Sequence, residues 1–273
     1  MEKERADLLV VQQGLCESRE KAKRLIMAGQ IYDQNNERID KVGEKIPVTS
    51  QLHIKGETLK YVSRGGLKLE KALKFFNLDI THKRVLDIGA STGGFTDVSL
   101  QNGAQLSYAL DVGYNQLDWK LRQDERVIVM ERVNFRYAQL EDFTVGQPDF
   151  ATIDVSFISL RLILPNLATI LQKNSPVVAL IKPQFEAGRE KVGKKGIVKD
   201  PKVHEEVITE ILHFASQHGY AISGLTFSPI TGGSGNIEFL AYLTFTGDME
   251  KQPITVDIQA VVNESIQTLK KGE

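Results

Sequence analysis

Four ionisable side chains stand where the hydrophobic pattern places the edge of a buried sheet: Lys68, Asp154, Lys182 and Glu238. Lys68 precedes the first strand of the pattern, Asp154 ends the fourth, Lys182 ends the fifth, and Glu238 begins the last. A charge beside a buried strand requires a partner or a chemical task, because desolvating it alone is costly. Two lysines with two carboxylates suit proton transfer at a weakly acidic hydroxyl, such as that of a ribose. Attack by such an oxygen is helped by a base that takes the proton as the new bond forms, and by alignment of the reacting atoms. Lysine serves as that base when burial and a second cation favour its neutral form. Lys182 is the expected base and Lys68 the second cation, with Asp154 and Glu238 orienting both.

A second constellation surrounds the run Leu86-Asp-Ile-Gly-Ala-Ser-Thr-Gly-Gly-Phe-Thr. It reads as a strand, a glycine-rich turn and the start of a helix, where backbone N–H groups can approach a ligand closely. A dinucleotide fingerprint would need glycine where Ser91 stands, which argues against a nicotinamide-dependent dehydrogenase. The run instead resembles the first motif of Rossmann-like methyltransferases. Asp111 ends the next strand about 20 residues on, where a carboxylate can accept from both hydroxyls of a ribose. Asn134 lies just past the third strand, beside the expected adenine edge. The expected ligand contacts are Asp87, Gly89, Ala90, Ser91, Thr92, Gly94, Phe95, Thr96, Asp111, Val112, Asn134 and Asp154, with Asp87 also holding the turn.

These residues need a frame, and from Lys83 onward the sequence supplies one. Strands are expected at 84–88, 106–110, 127–130, 150–154, 177–181, 220–228 and 237–245, and helices at 94–101, 164–171 and 203–218. Alternation of buried strands with amphipathic helices indicates a mostly parallel sheet covered on both faces, which holds its ligand at the carboxyl ends of its strands. The last two strands are expected to pair antiparallel. Ahead of this lies a small α+β unit: helices at 5–13 and 19–28, the second capped by Ser18 and closed by Gly29, then short strands near 30–32, 44–48 and 51–54.

Hydrophobic content of 41% and charged content of 25% are those of a globular chain. No apolar stretch approaches the roughly 20 residues of a membrane span, and the charged start lacks a secretory h-region, so a cytoplasmic location is expected. The single cysteine, Cys16, is expected as buried filler in a helix. The five histidines show no metal-ligand spacing, and His204 and His213 are expected on a helix surface; no metal is expected. Net charge is −1, yet cations gather at Arg19, Lys21, Lys23 and Arg24, again from Lys60 to Lys74, and again from Arg189 to Lys199. Grouped basic side chains suit a phosphate backbone. The RNA-facing set is Arg5, Arg19, Lys21, Lys23, Arg24, Arg64, Lys191, Lys194 and Lys195.

Two resemblances sharpen these expectations. Arg5-Ala-Asp-Leu-Leu-Val and Ser18-Arg-Glu-Lys-Ala-Lys-Arg-Leu-Ile-Met-Ala-Gly-Gln-Ile-Tyr resemble the S-four RNA-binding domain. Ser63-Arg-Gly-Gly-Leu-Lys-Leu, Thr152-Ile-Asp-Val-Ser-Phe-Ile-Ser-Leu, Leu180-Ile-Lys-Pro-Gln-Phe-Glu and Gly232-Gly-Ser-Gly-Asn-Ile-Glu-Phe, with the glycine-rich run, resemble the TlyA family. Its members carry an S-four domain before an FtsJ-like methyltransferase domain. The resemblance implies a Rossmann-like class I fold, a seven-stranded mostly parallel sheet whose last strand is antiparallel. It also implies S-adenosyl-L-methionine as cofactor, ribosomal RNA or a ribosomal subunit as partner, and 2′-O-methylation of a cytidine by a tetrad falling on Lys68, Asp154, Lys182 and Glu238. The implied organisation is an RNA-binding domain at 1–59, a linker at 60–63 and the catalytic domain at 64–273. Family members have also been called haemolysins, so a membrane-active protein is one rival, and a non-catalytic ribosome-binding factor is another.

Overall fold

Gly14 and Gly29 close the two helices that begin the chain, each in the left-handed backbone that terminates a helix, with φ of +70° and +69°. The computed structural model describes residues 2–27, 29–55, 60–232, 235–249 and 253–269. Ala28, the expected end of the second helix, and Gly233 and Ser234 of the glycine-rich segment lie outside them. The chain divides into two units, Met1–Lys60 and Tyr61–Glu273.

The first unit contains β1 (Lys3–Arg5), α1 (Ala6–Gln12), α2 (Arg19–Met27), β2 (Ile31–Tyr32), β3 (Lys45–Pro47) and β4 (His53–Ile54). β1 pairs antiparallel with β3, and β2 with β4. The Ser18 hydroxyl accepts from the Lys21 amide at 3.2 Å and so caps α2. Leu9, Val10, Ala22, Ile26 and Ile31 form the core. Cys16 is buried with them, but in the turn between the helices rather than within one. β1 is too short for any periodic signal.

Asp7 is fully buried on α1. Its carboxylate accepts from Arg5 at 2.9 Å and from Arg19 at 2.7 Å. The Arg5 hydrogen bond leads the effects that hold this carboxyl at about 2, against an ordinary 3.8. Arg5 and Arg19, expected to face RNA, are therefore committed to a buried acid. On α2, Lys21 pairs with Glu17 of the preceding turn and Lys23 with Glu20.

In the second unit the strands are β5 (Arg84–Ile88), β6 (Leu106–Asp111), β7 (Val127–Glu131), β8 (Phe150–Ile153), β9 (Ser175–Ile181), β10 (Tyr220–Phe227) and β11 (Phe239–Phe245). They form one sheet in the order β10-β11-β9-β8-β5-β6-β7. β5 to β9 are parallel, while β11 runs antiparallel to both of its neighbours. Two-residue periodicity sends alternate side chains to opposite layers. Val177, Ala179 and Ile181 of β9 join a core with α6 (Leu164–Ile170), α8 (Pro201–Ser216) and α9 (Ile258–Leu269). Val178 and Leu180 join another with α3 (Gly66–Phe75) and α4 (Gly94–Gln101).

Several local features differ from expectation. Residues 61–63, expected as linker, are built into the second unit: the Tyr61 ring is buried, and the Val62 amide donates to Asp97 at 2.9 Å. A Cβ on Gly66 would lie 2.7 Å from the Tyr61 ring, so glycine is what allows this packing. His204 is not on a helix surface. It is buried, 3.0 Å from the Val198 carbonyl through Nε2, with its ring edge-on to Phe239.

The Asp7 cluster predicts an acid limb in the stability of the first unit. The folded carboxyl is more acidic than an unfolded one, so its contribution is present above pH 3.8 and lost as pH falls toward 2. Asp7→Asn is expected to cost about 1–3 kcal/mol at neutral pH and to abolish that limb, measured by denaturant unfolding across pH 2–6.

Candidate active site

Because β8 and β9 are parallel, their carboxyl ends emerge on one edge of the sheet. β11 runs the other way and delivers its amino end there, with Phe239 opposite Ile181. Asp154 follows β8, Lys182 follows β9 and Glu238 precedes β11, so three residues far apart in sequence share one rim. Lys68 comes from the first turn of α3.

The four side chains touch in series. Lys68 Nζ lies 2.7 Å from Glu238 Oε2 and 3.4 Å from Asp154 Oδ2, while Lys182 Nζ lies 2.5 Å from Asp154 Oδ1 and 3.0 Å from the Ser156 hydroxyl. Lys68 and Lys182 are each 7% exposed and Glu238 2%. Burial pulls the pKa of Lys68 down, but the charges of Asp154 and Glu238 outweigh it and leave the pKa above its ordinary value. Lys68 is thus a fixed cation.

A cleft with two adjoining lobes opens at this rim. The larger, about 510 Å³, is lined by the tetrad together with Ser63, Ala90, Thr92, Gly94, Phe95, Gln184, Phe185, Lys195 and Asn236, among others. The smaller, about 300 Å³, is lined by Asp111, Val112, Asn134, Phe135, Ile158 and Ile163, among others. Gly89, Ser91, Asp154, Ser156 and Phe157 belong to both walls.

The glycine-rich turn shapes the divide between the lobes. Gly89 has φ of +87°, and a Cβ there would meet the Asp154 carbonyl oxygen at 2.6 Å. The amides of Gly89 and Ala90 both donate to the Leu110 carbonyl, at 2.9 and 3.0 Å. Asp111 accepts from the Ser91 amide at 2.8 Å and from the Gly113 amide at 2.7 Å, one on each oxygen. Asn134 lines the smaller lobe while its Oδ1 accepts from the Arg136 amide at 3.1 Å.

Asp87 and Thr96, expected at the ligand, do not reach the cleft. Both are fully buried beneath the turn, where Asp87 accepts from the hydroxyls of Thr96 at 2.8 Å and Thr152 at 2.9 Å. Burial pushes the Asp87 carboxyl up to about 6. The basic segment from Arg189 to Lys199 is anchored as well. Lys191 pairs with Glu206 at 2.6 Å, and the Asn236 carboxamide bridges the Val198 amide and the Gly196 carbonyl. Lys194 and Lys195 are exposed, and Lys195 lines the larger lobe. Arg64 is exposed beside the start of α3.

The sequence reading did not single out Ser156, Phe157, Gln184, Phe185 or Asn236. Each lies within four residues of a tetrad member, which was the available signal. Phe157 is 90% exposed with φ of +64°, a backbone strained for an aromatic residue. The loop that carries it is tied to α7 (Pro183–Glu186), where Glu186 accepts from the Ser159 hydroxyl at 2.5 Å and the Leu160 amide at 2.8 Å.

Residues 61–245 match the FtsJ-like methyltransferase family. A Bacillus subtilis protein, YqxC, described as a candidate rRNA methyltransferase, is 62% identical across 98% of this chain and 96% of its own. The Mycobacterium tuberculosis protein named 16S/23S rRNA (cytidine-2'-O)-methyltransferase TlyA is 40% identical across 88% of this chain and 89% of its own. Among solved structures, a hemolysin candidate from Streptococcus thermophilus matches with a TM-score of 0.80 at 58% identity, covering 100% of this chain and 98% of that one.

Gly89→Ala is expected to destabilise the second unit by about 1–3 kcal/mol, since it combines a left-handed backbone with a backbone clash. It should also deform the wall shared by the two lobes. Thermal melting against wild type measures the first effect; an unchanged melting temperature would contradict the close approach of Gly89 to Asp154.

Proposed function

Since the chain belongs to the FtsJ-like methyltransferase family, we propose that it uses S-adenosylmethionine to methylate a ribose 2′-hydroxyl of a cytidine in ribosomal RNA. The observation that carries this reading is Lys182, held by Asp154 and Ser156 at the rim where the two lobes meet.

The smaller lobe fits the cofactor. Asp111 keeps acceptor capacity beyond its two amide partners, since a carboxylate offers about four lone-pair sites, and would take the ribose hydroxyls. Val112 and Phe135 give apolar walls for adenine, Asn134 faces its edge, and Gly89 leaves the backbone open to close approach. S-adenosylmethionine, when bound, supplies a methyl group activated on a sulfonium centre.

The chain's own residues do the rest. A neutral amine keeps two N–H donors and one lone pair; Asp154 and Ser156 take the two donors of Lys182, leaving its lone pair for a substrate hydroxyl. Lys182 in its neutral form accepts the 2′-hydroxyl proton as the oxygen becomes nucleophilic. Asp154 fixes the position of Lys182, the positive charge of Lys68 across Asp154 favours the neutral form of Lys182 before it takes the proton, and Glu238 fixes Lys68. RNA is held by the exposed Arg64, Lys194 and Lys195 in the second unit and by Arg24 on α2 of an S-four-like first unit, with Lys21 and Lys23 contributing once released from Glu17 and Glu20. Lys191 contributes once released from Glu206, and Arg5 and Arg19 through whatever capacity Asp7 leaves them. The reaction is assigned to the cytoplasm, where ribosomal RNA is found. None of the helices among the described residues is long and apolar enough to cross a membrane.

Tritium transfer from labelled S-adenosylmethionine to ribosomal subunits from cells lacking this protein, followed by nucleoside analysis, tests the reading. Label is expected on a ribose-methylated cytidine. Lys182→Ala is expected to lower transfer by at least about 100-fold with cofactor affinity nearly unchanged; normal turnover would refute the assigned base. Replacing Lys21, Lys23 and Arg24 together by glutamine is expected to weaken RNA binding and to flatten its salt dependence, by roughly one unit of slope for each phosphate no longer neutralised. An unchanged slope would remove α2 from the RNA interface.

A further inference from the structure

Lys194 and Lys195 stand at the tip of a tight loop. The Gly196 amide donates to the Gly193 carbonyl at 2.8 Å and the Gly193 amide to the Ile197 carbonyl at 3.0 Å, while Gly196 takes the left-handed backbone, with φ of +72°. A glycine in that conformation is what closes a loop this short. Both lysines are exposed, and among the described residues neither pairs with a carboxylate, unlike Lys191 just before them.

The base of the loop is fixed more firmly than two solvated lysines require. Asn236 is 3% exposed; its Oδ1 accepts from the Val198 amide at 3.0 Å and its Nδ2 donates to the Gly196 carbonyl at 2.8 Å. A donor on one side and an acceptor on the other leave the carboxamide a single orientation. The Val198 carbonyl accepts from Nε2 of the buried His204, so both polar backbone groups of Val198 are held from within the fold. Asn236 stands two residues before Glu238 and lines the larger lobe with Lys182 and Lys195. The loop is thus anchored on the segment that delivers Glu238 to the tetrad. A pair of cations held rigidly at the mouth of a lobe suits a phosphate, because preorganisation removes much of the ordering cost of binding.

We infer that Asn236 is a positioning residue for RNA: it holds the loop at 193–196 so that Lys195, with Lys194 beside it, meets a backbone phosphate of the strand entering the larger lobe. The inference rests on the reading of the site as an RNA 2′-O-methyltransferase and extends it by assigning placement of the strand to a neutral, buried side chain. With a phosphate fixed at the loop, the neighbouring ribose is brought to Lys182 in one register, and alignment of that kind is a large part of what such a reaction needs. Asn236 does this without touching RNA; it acts through the two lysines.

The test is the affinity for ribosomal subunits from cells lacking this protein, measured over a series of salt concentrations at constant magnesium, with a cooperative thermal melt confirming that each variant is folded. Replacing Lys194 and Lys195 together by glutamine is expected to flatten the plot of log affinity against log salt by about 0.7–0.9 for each phosphate released. Asn236→Ala removes no charge, yet should flatten the plot by at least about half as much, and should add little when combined with the lysine pair. A purely structural role for Asn236 would leave the slope as it is. Gly196→Val disturbs the same loop from outside, because a Cβ there meets no atom within 4 Å and only the left-handed backbone is strained. It should reproduce the flattening, and it takes the place of Asn236→Ala if that variant does not fold. An unchanged slope in the lysine pair or in folded Asn236→Ala, an unchanged slope in Gly196→Val where Asn236→Ala does not fold, or fully additive losses in the combined variant overturns the inference. Wild type that does not bind either subunit, or binds without salt dependence, overturns the RNA reading itself and this inference with it.

Discussion

The second unit is organised around a line of alternating charges: Glu238, Lys68, Asp154 and Lys182, in contact from end to end. Removing an ion from water costs several kcal/mol even after relaxation. An isolated lysine or glutamate at this depth would not remain charged. Alternation resolves the conflict because each lysine lies against a carboxylate and each carboxylate against a lysine. The arrangement also explains the topology at this edge. An all-parallel sheet would send the amino end of its last strand to the opposite rim, and Glu238 could not close the line. The reversed direction of β11 is what brings a fourth charge to the three others.

A second buried acid does different work a short way along the sheet. Among the described residues Asp87 has no cation partner; it is satisfied by two threonine hydroxyls, and burial raises its pKa instead. The two acids show how partner chemistry sets the outcome. Asp154, between two lysine side chains, is the hinge of the line, whereas Asp87 ties β5 to β8 and α4 underneath the turn that forms the cleft wall. Asp7 in the first unit is a third case, in which two guanidinium groups hold a wholly buried carboxylate ionised.

Much of this was legible in the sequence. The strand at 84–88 and the helix at 94–101 were expected at the bounds observed, because the Val-Leu-Asp-Ile stretch that ends at Gly89 and the Gly93-Gly94 pair leave little choice. The antiparallel pairing of the last two strands was also readable, since only a short connection separates them. The α3 helix was not read, as it begins on Gly65 and Gly66 without a side-chain cap. Burial of His204 was missed because a histidine at a helical spacing reads the same on either face until its neighbour is known, and here that neighbour is Phe239 from a distant strand. The charged residues of the rim were findable because charge beside a buried strand is anomalous. Gln184 and Phe157 were not, since an amide or an aromatic ring in a loop is unremarkable until burial or backbone angle is measured. The paired state of Arg5 and Arg19 was hidden for a similar reason: a run of cations says nothing about an aspartate folded beneath it.

The contact between Lys68 and Glu238 spans 170 positions of the chain, and this separation matters while the protein is being made. Domains fold as the chain emerges during translation, amino-terminal parts first. β5 to β9 can assemble early, yet their edge remains open until β11 inserts between β9 and β10. Until then Lys68 lacks its glutamate and the line of charges is unfinished. A nascent chain therefore holds the smaller lobe formed beside a rim that still lacks its fourth charged member, and the site is completed only when the last strand is in place.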